Sequence, residues 1–222
     1  MLSGTNPPTR RHAEMVAMTT LPAPLRICFF GDSMVNGTGD DACLGWVGRA
    51  AAAARRGGCD LTLYNLGVRR DTSVDVRARW RAEAEARLPP GHDGRLVFSF
   101  GANDGCAADD GVGVRVPPAR SLANAEAILT AASAWRPTLV VGPFPICDPT
   151  VDRRTAALSA AFGDLCARLG VPYFAPFPLA AGSDIWAREV AAGDGAHPNA
   201  GGYALVAEAF AAWPAWRAWV SA

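Results

Sequence analysis

The sequence predicts an α/β domain built on a parallel β-sheet, and three observations carry that prediction. From Leu25 onward, short runs rich in β-branched and aromatic residues alternate with longer alanine-rich amphipathic stretches, the order of stacked βα units. The short runs are almost continuously apolar, as strands covered by helices on both faces must be. Glycine and proline clusters punctuate them, with Gly57-Gly58, Pro89-Pro90-Gly91 and Gly170 as helix stops.

Five strands are expected in order: Leu25–Phe30, Leu61–Asn65, Arg95–Phe100, Thr138–Val141 and Val171–Phe174. Between them, Val76, Trp80 and Leu88 give the second helix its apolar stripe, and Thr72 or Ser73 can cap its start. Leu158, Phe162, Leu165 and Leu169 trace a similar stripe in the fourth helix, and YALVAEAF reads as a last helical stretch. No repeat, charge block or low-complexity linker divides this text, so residues 25–222 are expected to form a single domain behind a flexible tail of residues 1–24.

Composition narrows the function. The 222 residues are 50% hydrophobic and 19% charged, with zero formal net charge, so no long-range field gathers nucleic acid or an anionic membrane. Every basic side chain is an arginine, and without lysine neither a Schiff base nor a Walker lysine is available. Cys28, Cys43, Cys59, Cys106, Cys147 and Cys166 show no CxxC or zinc spacing, which fits reduced thiols in a cytoplasmic protein. The N-terminal segment lacks the apolar core of a signal peptide, and no apolar run reaches the roughly 18 residues of a membrane span. The partner expected is therefore a small substrate, with no nucleic acid and no integral membrane association.

Ligands of open parallel sheets sit beyond the carboxyl ends of the strands, and the loops expected there carry the chemistry. The first strand runs into Gly31-Asp32-Ser33, and the third into Gly101-Ala102-Asn103-Asp104. Near the C-terminus, Asp194-Gly195-Ala196-His197-Pro198 sets a carboxylate and an imidazole three residues apart. A neutral serine hydroxyl needs a base within reach and an acid that holds the base in one tautomer, roles that Ser33, His197 and Asp194 can fill. The Asn103 amide can donate to a developing oxyanion.

These residues resemble the GDSL-type, or SGNH, serine hydrolases. FFGDSM matches the first family block, YNLGVRRDTS the second, FSFGAND the third and DGAHPNAGGY the fifth, together spanning about residues 25–212. The resemblance implies a flavodoxin-like three-layer α/β/α sandwich with a five-stranded parallel sheet in the order 2-1-3-4-5, and esterase or lipase chemistry through an acyl-enzyme without cofactor or metal. It makes Ser33 the nucleophile, His197 the base, Asp194 the orienting acid and Asn103 an oxyanion donor. An acyltransferase on the same site, or a binding module for carbohydrate or lipid with a vestigial site, is the alternative.

The second block departs from the family. It commonly reads N-x-G-x-x-G, its second glycine lending a backbone N–H to the oxyanion; here Gly67 keeps the first glycine and Arg70 replaces the second. The Arg70 N–H, or that of Gly67, joins the N–H of Ser33 and the Asn103 amide as expected oxyanion donors. Arg69 or Arg70 is expected to project a guanidinium toward the substrate mouth, favouring an anionic ester.

Other residues have plainer readings. Asp32 and Asp104 are expected to brace turns, His12 and His92 to be solvated, and Cys106 and Cys147 to be spectators. GTGDDA at residues 37–42 mimics a dinucleotide fingerprint, but its first glycine comes six residues after Gly31 and its aspartates would repel a pyrophosphate. Trp213, Trp216 and Trp219 are expected to dock a terminal helical segment on its own domain, with a homodimer or lipid contact as the alternative; the oligomeric state is monomer or homodimer.

Overall fold

A computed structural model describes residues 24–221, so the expected tail, His12 included, lies almost entirely outside the described residues. Five strands, β1 (Leu25–Gly31), β2 (Leu61–Gly67), β3 (Asp93–Ser99), β4 (Thr138–Val141) and β5 (Tyr173–Phe174), pair in parallel in the order β2-β1-β3-β4-β5. The helices are α1 (Ser33–Asn36), α2 (Gly45–Arg56), α3 (Ser73–Arg87), α4 (Pro118–Ser133), α5 (Pro149–Leu169), α6 (Phe177–Ala181), α7 (Asp184–Ala192), α8 (Ala200–Ala212) and α9 (Pro214–Val220).

Alternate residues of each strand feed two separate cores. Ile27, Phe29, Val97, Leu139 and Val141 meet α2, α7, α8 and α9 on one face. Cys28, Phe30, Leu96, Phe98 and Val140 meet α3, α4 and α5 on the other. Burial on both faces explains the unbroken apolar runs, and the three-layer sandwich and its strand order are those expected.

Boundaries shift where sequence carries least signal. β1 and β2 run through Gly31 and Gly67, which pair in register, while β5 keeps only two residues of its run. Gly31 extends β1 because a Cβ there would collide with the Ser99 carbonyl oxygen, so the strands close up at their carboxyl ends. At the start of α3, Thr72 and Asp75 form a capping box, the Thr72 N–H donating to Asp75 Oδ2 at 2.8 Å. The terminal tryptophans dock on their own domain. Trp216 is fully buried, 4.8 Å from the Phe210 ring centroid and 6.0 Å from that of Phe29.

Candidate active site

β1 delivers Ser33 to the carboxyl edge of the sheet. Asp32 caps α1, its Oδ1 accepting the Met34 N–H at 2.9 Å, which sets Ser33 at the first helical position with an N–H free of intrahelical bonding. The hydroxyl is nearly buried and lies 2.7 Å from His197 Nε2.

His197 arrives from the far end of the chain on a loop between α7 and α8. Its Nδ1 lies 2.8 Å from Asp194 Oδ2, while Asp194 Oδ1 accepts the backbone N–H groups of Ala196 and His197 at 3.0 Å each. Burial pushes the Asp194 carboxyl up, but the hydrogen bond to His197 and the two backbone donors outweigh it and hold the pKa below the usual aspartate range.

Three further expected residues line the same cavity of about 150 Å³ as Ser33 and His197: Arg69, Arg70 and Asn103. Arg70 has φ 69°, the left-handed region that favours the glycine it replaces, and among the described residues its N–H makes no hydrogen bond. Asn103 spends one amide proton on the Asp71 carbonyl at 2.9 Å and has a second to offer. Gly67 departs from the expectation: its N–H donates to Asn65 Oδ1 at 3.1 Å, and it is not among the residues lining the cavity. Of the two expected alternatives, Arg70 is the one that lines the cavity with its N–H unbonded.

Arg69 lines the cavity, whereas the Arg70 guanidinium turns to Asp109 at 3.2 Å, an exposed pair of small energetic weight. Arg115 closes this corner by donating to the Arg70 carbonyl at 2.7 Å. Ala102, Cys106 and Ile146 add apolar wall. A larger surface groove, about 450 Å³ between α4 and α5, touches none of these residues.

Asp32 does more than brace its turn. Full burial, reinforced by the nearby Asp104 and Asp71 carboxylates and opposed by the Met34 N–H, pushes its pKa up to about 7. Burial also raises the Cys106 thiol, a poor condition for nucleophilic chemistry. Among the described residues no group of three or more His, Cys, Asp and Glu side chains could hold a metal ion, and no helix is long and apolar enough to cross a membrane.

Sequence reasoning missed Glu189 on α7 and Arg79 on α3. The Glu189 carboxylate accepts the backbone N–H groups of Asn199, Gly201 and Gly202 at 2.9, 3.0 and 2.8 Å, fastening the start of α8 just beyond His197. The paired glycines of NAGG were its only trace, since a Cβ on Gly201 would come within 2.6 Å of the carboxylate.

The profile of the GDSL-like lipase/acylhydrolase family matches residues 29–205. No curated protein sequence matches the chain. Among solved structures, a lipase/acylhydrolase from Enterococcus faecalis is similar at 23% identity and TM-score 0.66, over 84% of this chain and 95% of that one. Axe2, an acetylxylan esterase from Geobacillus stearothermophilus, is similar at 17% identity and TM-score 0.71, over 87% and 97%. The psychrotrophic esterase EstA from Pseudoalteromonas sp. is similar at 20% identity and TM-score 0.65, over 89% and 99%. At these identities the structural likeness speaks for the fold.

Proposed function

The chain belongs to the GDSL-like lipase/acylhydrolase family, and from that premise we propose that it hydrolyses carboxylic esters of short acyl groups through a covalent acyl-serine. The observation that carries this reading is the unbroken relay from Ser33 Oγ to His197 Nε2 and from Nδ1 to Asp194, at 2.7 and 2.8 Å.

In this reading Nε2 takes the Ser33 proton as Oγ attacks the ester carbonyl, and Asp194 holds the imidazole with its proton on Nδ1 and stabilises the imidazolium. Negative charge gathers on the former carbonyl oxygen and is met by the N–H groups of Ser33 and Arg70 and the free Asn103 amide proton. The imidazolium then protonates the departing alkoxide, leaving the acyl group on Ser33. Water enters, gives its proton to Nε2 and attacks the acyl carbonyl, and collapse returns the proton to Oγ as the acid leaves.

The cavity argues for small acyl groups. Its volume of about 150 Å³, walled by Ala102, Cys106 and Ile146, is below the range of roughly 300–1,000 Å³ common for small-molecule sites. The similarity to an acetylxylan esterase agrees with an acetyl-sized acyl group. Hydrolysis of p-nitrophenyl esters across acyl lengths from two to twelve carbons tests the reading. The expected kcat/KM is greatest at two to four carbons and falls steeply beyond; a maximum at eight or more overturns the size assignment.

A further inference from the structure

We propose that Arg79 is the positioning residue of the oxyanion hole: one guanidinium ties together two of the segments that carry its three donors and reaches the third through Asp71. The inference rests on the acyl-serine reading above and adds a residue to it.

Arg79 sits in α3 beside the inward-facing Val76 and Trp80, with its side chain 19% exposed and its guanidinium carbon 6.0 Å from the Phe30 ring centroid. Nη2 donates to the Gly31 carbonyl at 3.0 Å and to the Leu66 carbonyl at 2.9 Å. Nε donates to Asp71 Oδ2 at 2.7 Å, and Nη1 to Glu83 Oε1 at 3.2 Å.

Each partner leads to a donor. Gly31 ends β1 two residues before Ser33. Leu66 begins the exit from β2 toward Arg70, and Val68 reinforces that junction by donating to the Gly31 carbonyl at 3.0 Å. Asp71 directly follows Arg70, and its own carbonyl accepts the Asn103 amide at 2.9 Å. The Ser33 N–H, the Arg70 N–H and the Asn103 amide are therefore each attached, through two residues or fewer beyond an Arg79 contact or through one hydrogen bond, to a single planar cation, except for the longer Leu66 route, which Asp71 shortens.

The geometry demands an arginine. A lysine ammonium is one point of charge and cannot reach two strand-end carbonyls and a carboxylate from a single nitrogen, whereas the guanidinium offers five N–H groups in a fixed plane. The base side of the site is held separately, by Glu189 and the Asp194 turn, so loosening Arg79 disturbs the oxyanion hole and leaves the His197–Asp194 pair in place.

The test compares wild type with Arg79→Lys and Arg79→Ala in steady-state hydrolysis of p-nitrophenyl acetate and in inhibition by methylboronic acid, whose tetrahedral adduct on Ser33 imitates the intermediate. Expected is a fall in kcat of about 10- to 100-fold, within the effect of losing one oxyanion donor. KM should stay within about threefold, and the boronate inhibition constant should rise by a factor similar to the loss in kcat. The acid limb of the pH profile should not move, and millimolar guanidinium should restore part of the Arg79→Ala activity. If the alanine variant does not fold, the lysine variant decides. A kcat within twofold of wild type, or a loss of kcat with unchanged boronate affinity, overturns the proposal. Wild-type turnover separates the two readings: flat Arg79 variants of an active enzyme overturn the clamp alone, and an inert wild type overturns both.

Discussion

Asp194 and His197 are joined through both oxygens of one carboxylate: Oδ1 accepts the His197 backbone N–H at 3.0 Å, and Oδ2 meets Nδ1 at 2.8 Å. A spacing of three residues makes this possible, because the turn brings the imidazole back over the residue that orients it. Asp194→Asn should lower kcat by about 10²- to 10⁴-fold, since an amide can offer a donor to Nδ1 and favour the wrong tautomer. The depressed Asp194 pKa also fixes a sign. Its contribution to folding is fully present above the ordinary aspartate range and is lost as pH falls through the lower native value. The melting-temperature gap between wild type and Asp194→Asn should therefore hold steady at neutral pH and close below about pH 4.

Asp32 has the opposite sign. Its pKa is raised from the ordinary value of 3.8 to about 7, so between those values the native state holds a proton that the unfolded chain has released. Stability is thus lost as pH rises across that window. Asp32→Asn keeps an oxygen for the Met34 N–H and removes the ionisation. The variant should melt several degrees above wild type near pH 7.5 and lose that advantage near pH 4, as thermal unfolding followed by circular dichroism will show.

Arg70 separates a backbone role from a side-chain role. Glycine keeps the N–H and relieves the left-handed backbone at φ 69°, a conformation that costs an ordinary residue about 1 kcal/mol. Arg70→Gly should therefore be more stable than wild type by about that amount and turn over neutral esters within about twofold. Arg69, which lines the cavity, is expected to carry the preference for anionic esters: Arg69→Ala should lose more kcat/KM on a succinyl-type ester than on an acetate, and equal losses would remove the idea.

Glu189 should matter without touching substrate. Glu189→Ala strips three backbone N–H groups at the start of α8 of their acceptor and should cost about 1–2 kcal/mol in urea unfolding, together with a lower kcat as the His197 loop loosens. Glu189→Gln, which keeps one acceptor oxygen, should recover part of both.

The sheet and the residues that the fold gathers at the candidate site were legible because each rests on local signals. Buried strands such as β4 (Thr138–Val141) announce themselves by unbroken apolar runs, and Ser33, Asn103 and the Asp194/His197 pair each follow a strand or precede a helix in a recognisable block. Arg79 and Glu189 were not legible. Arg79 sits among the charges of RARWRAEAEAR, a pattern shared by any solvated helix face, and its value lies in the contacts with Asp71, Leu66 and Gly31, 8 to 48 residues away in sequence. The hydrogen bonding of the Gly67 N–H was equally out of reach, because only the fold reveals that Asn65 has taken it.

The central claim is that Ser33 forms the covalent intermediate. Intact-mass measurement after treatment with a fluorophosphonate, followed by peptide mapping, tests it most directly. The account predicts a single adduct on the peptide containing Ser33, absent in Ser33→Ala together with ester hydrolysis while the fold is kept. An adduct at another residue, or hydrolysis that survives in Ser33→Ala, would contradict it.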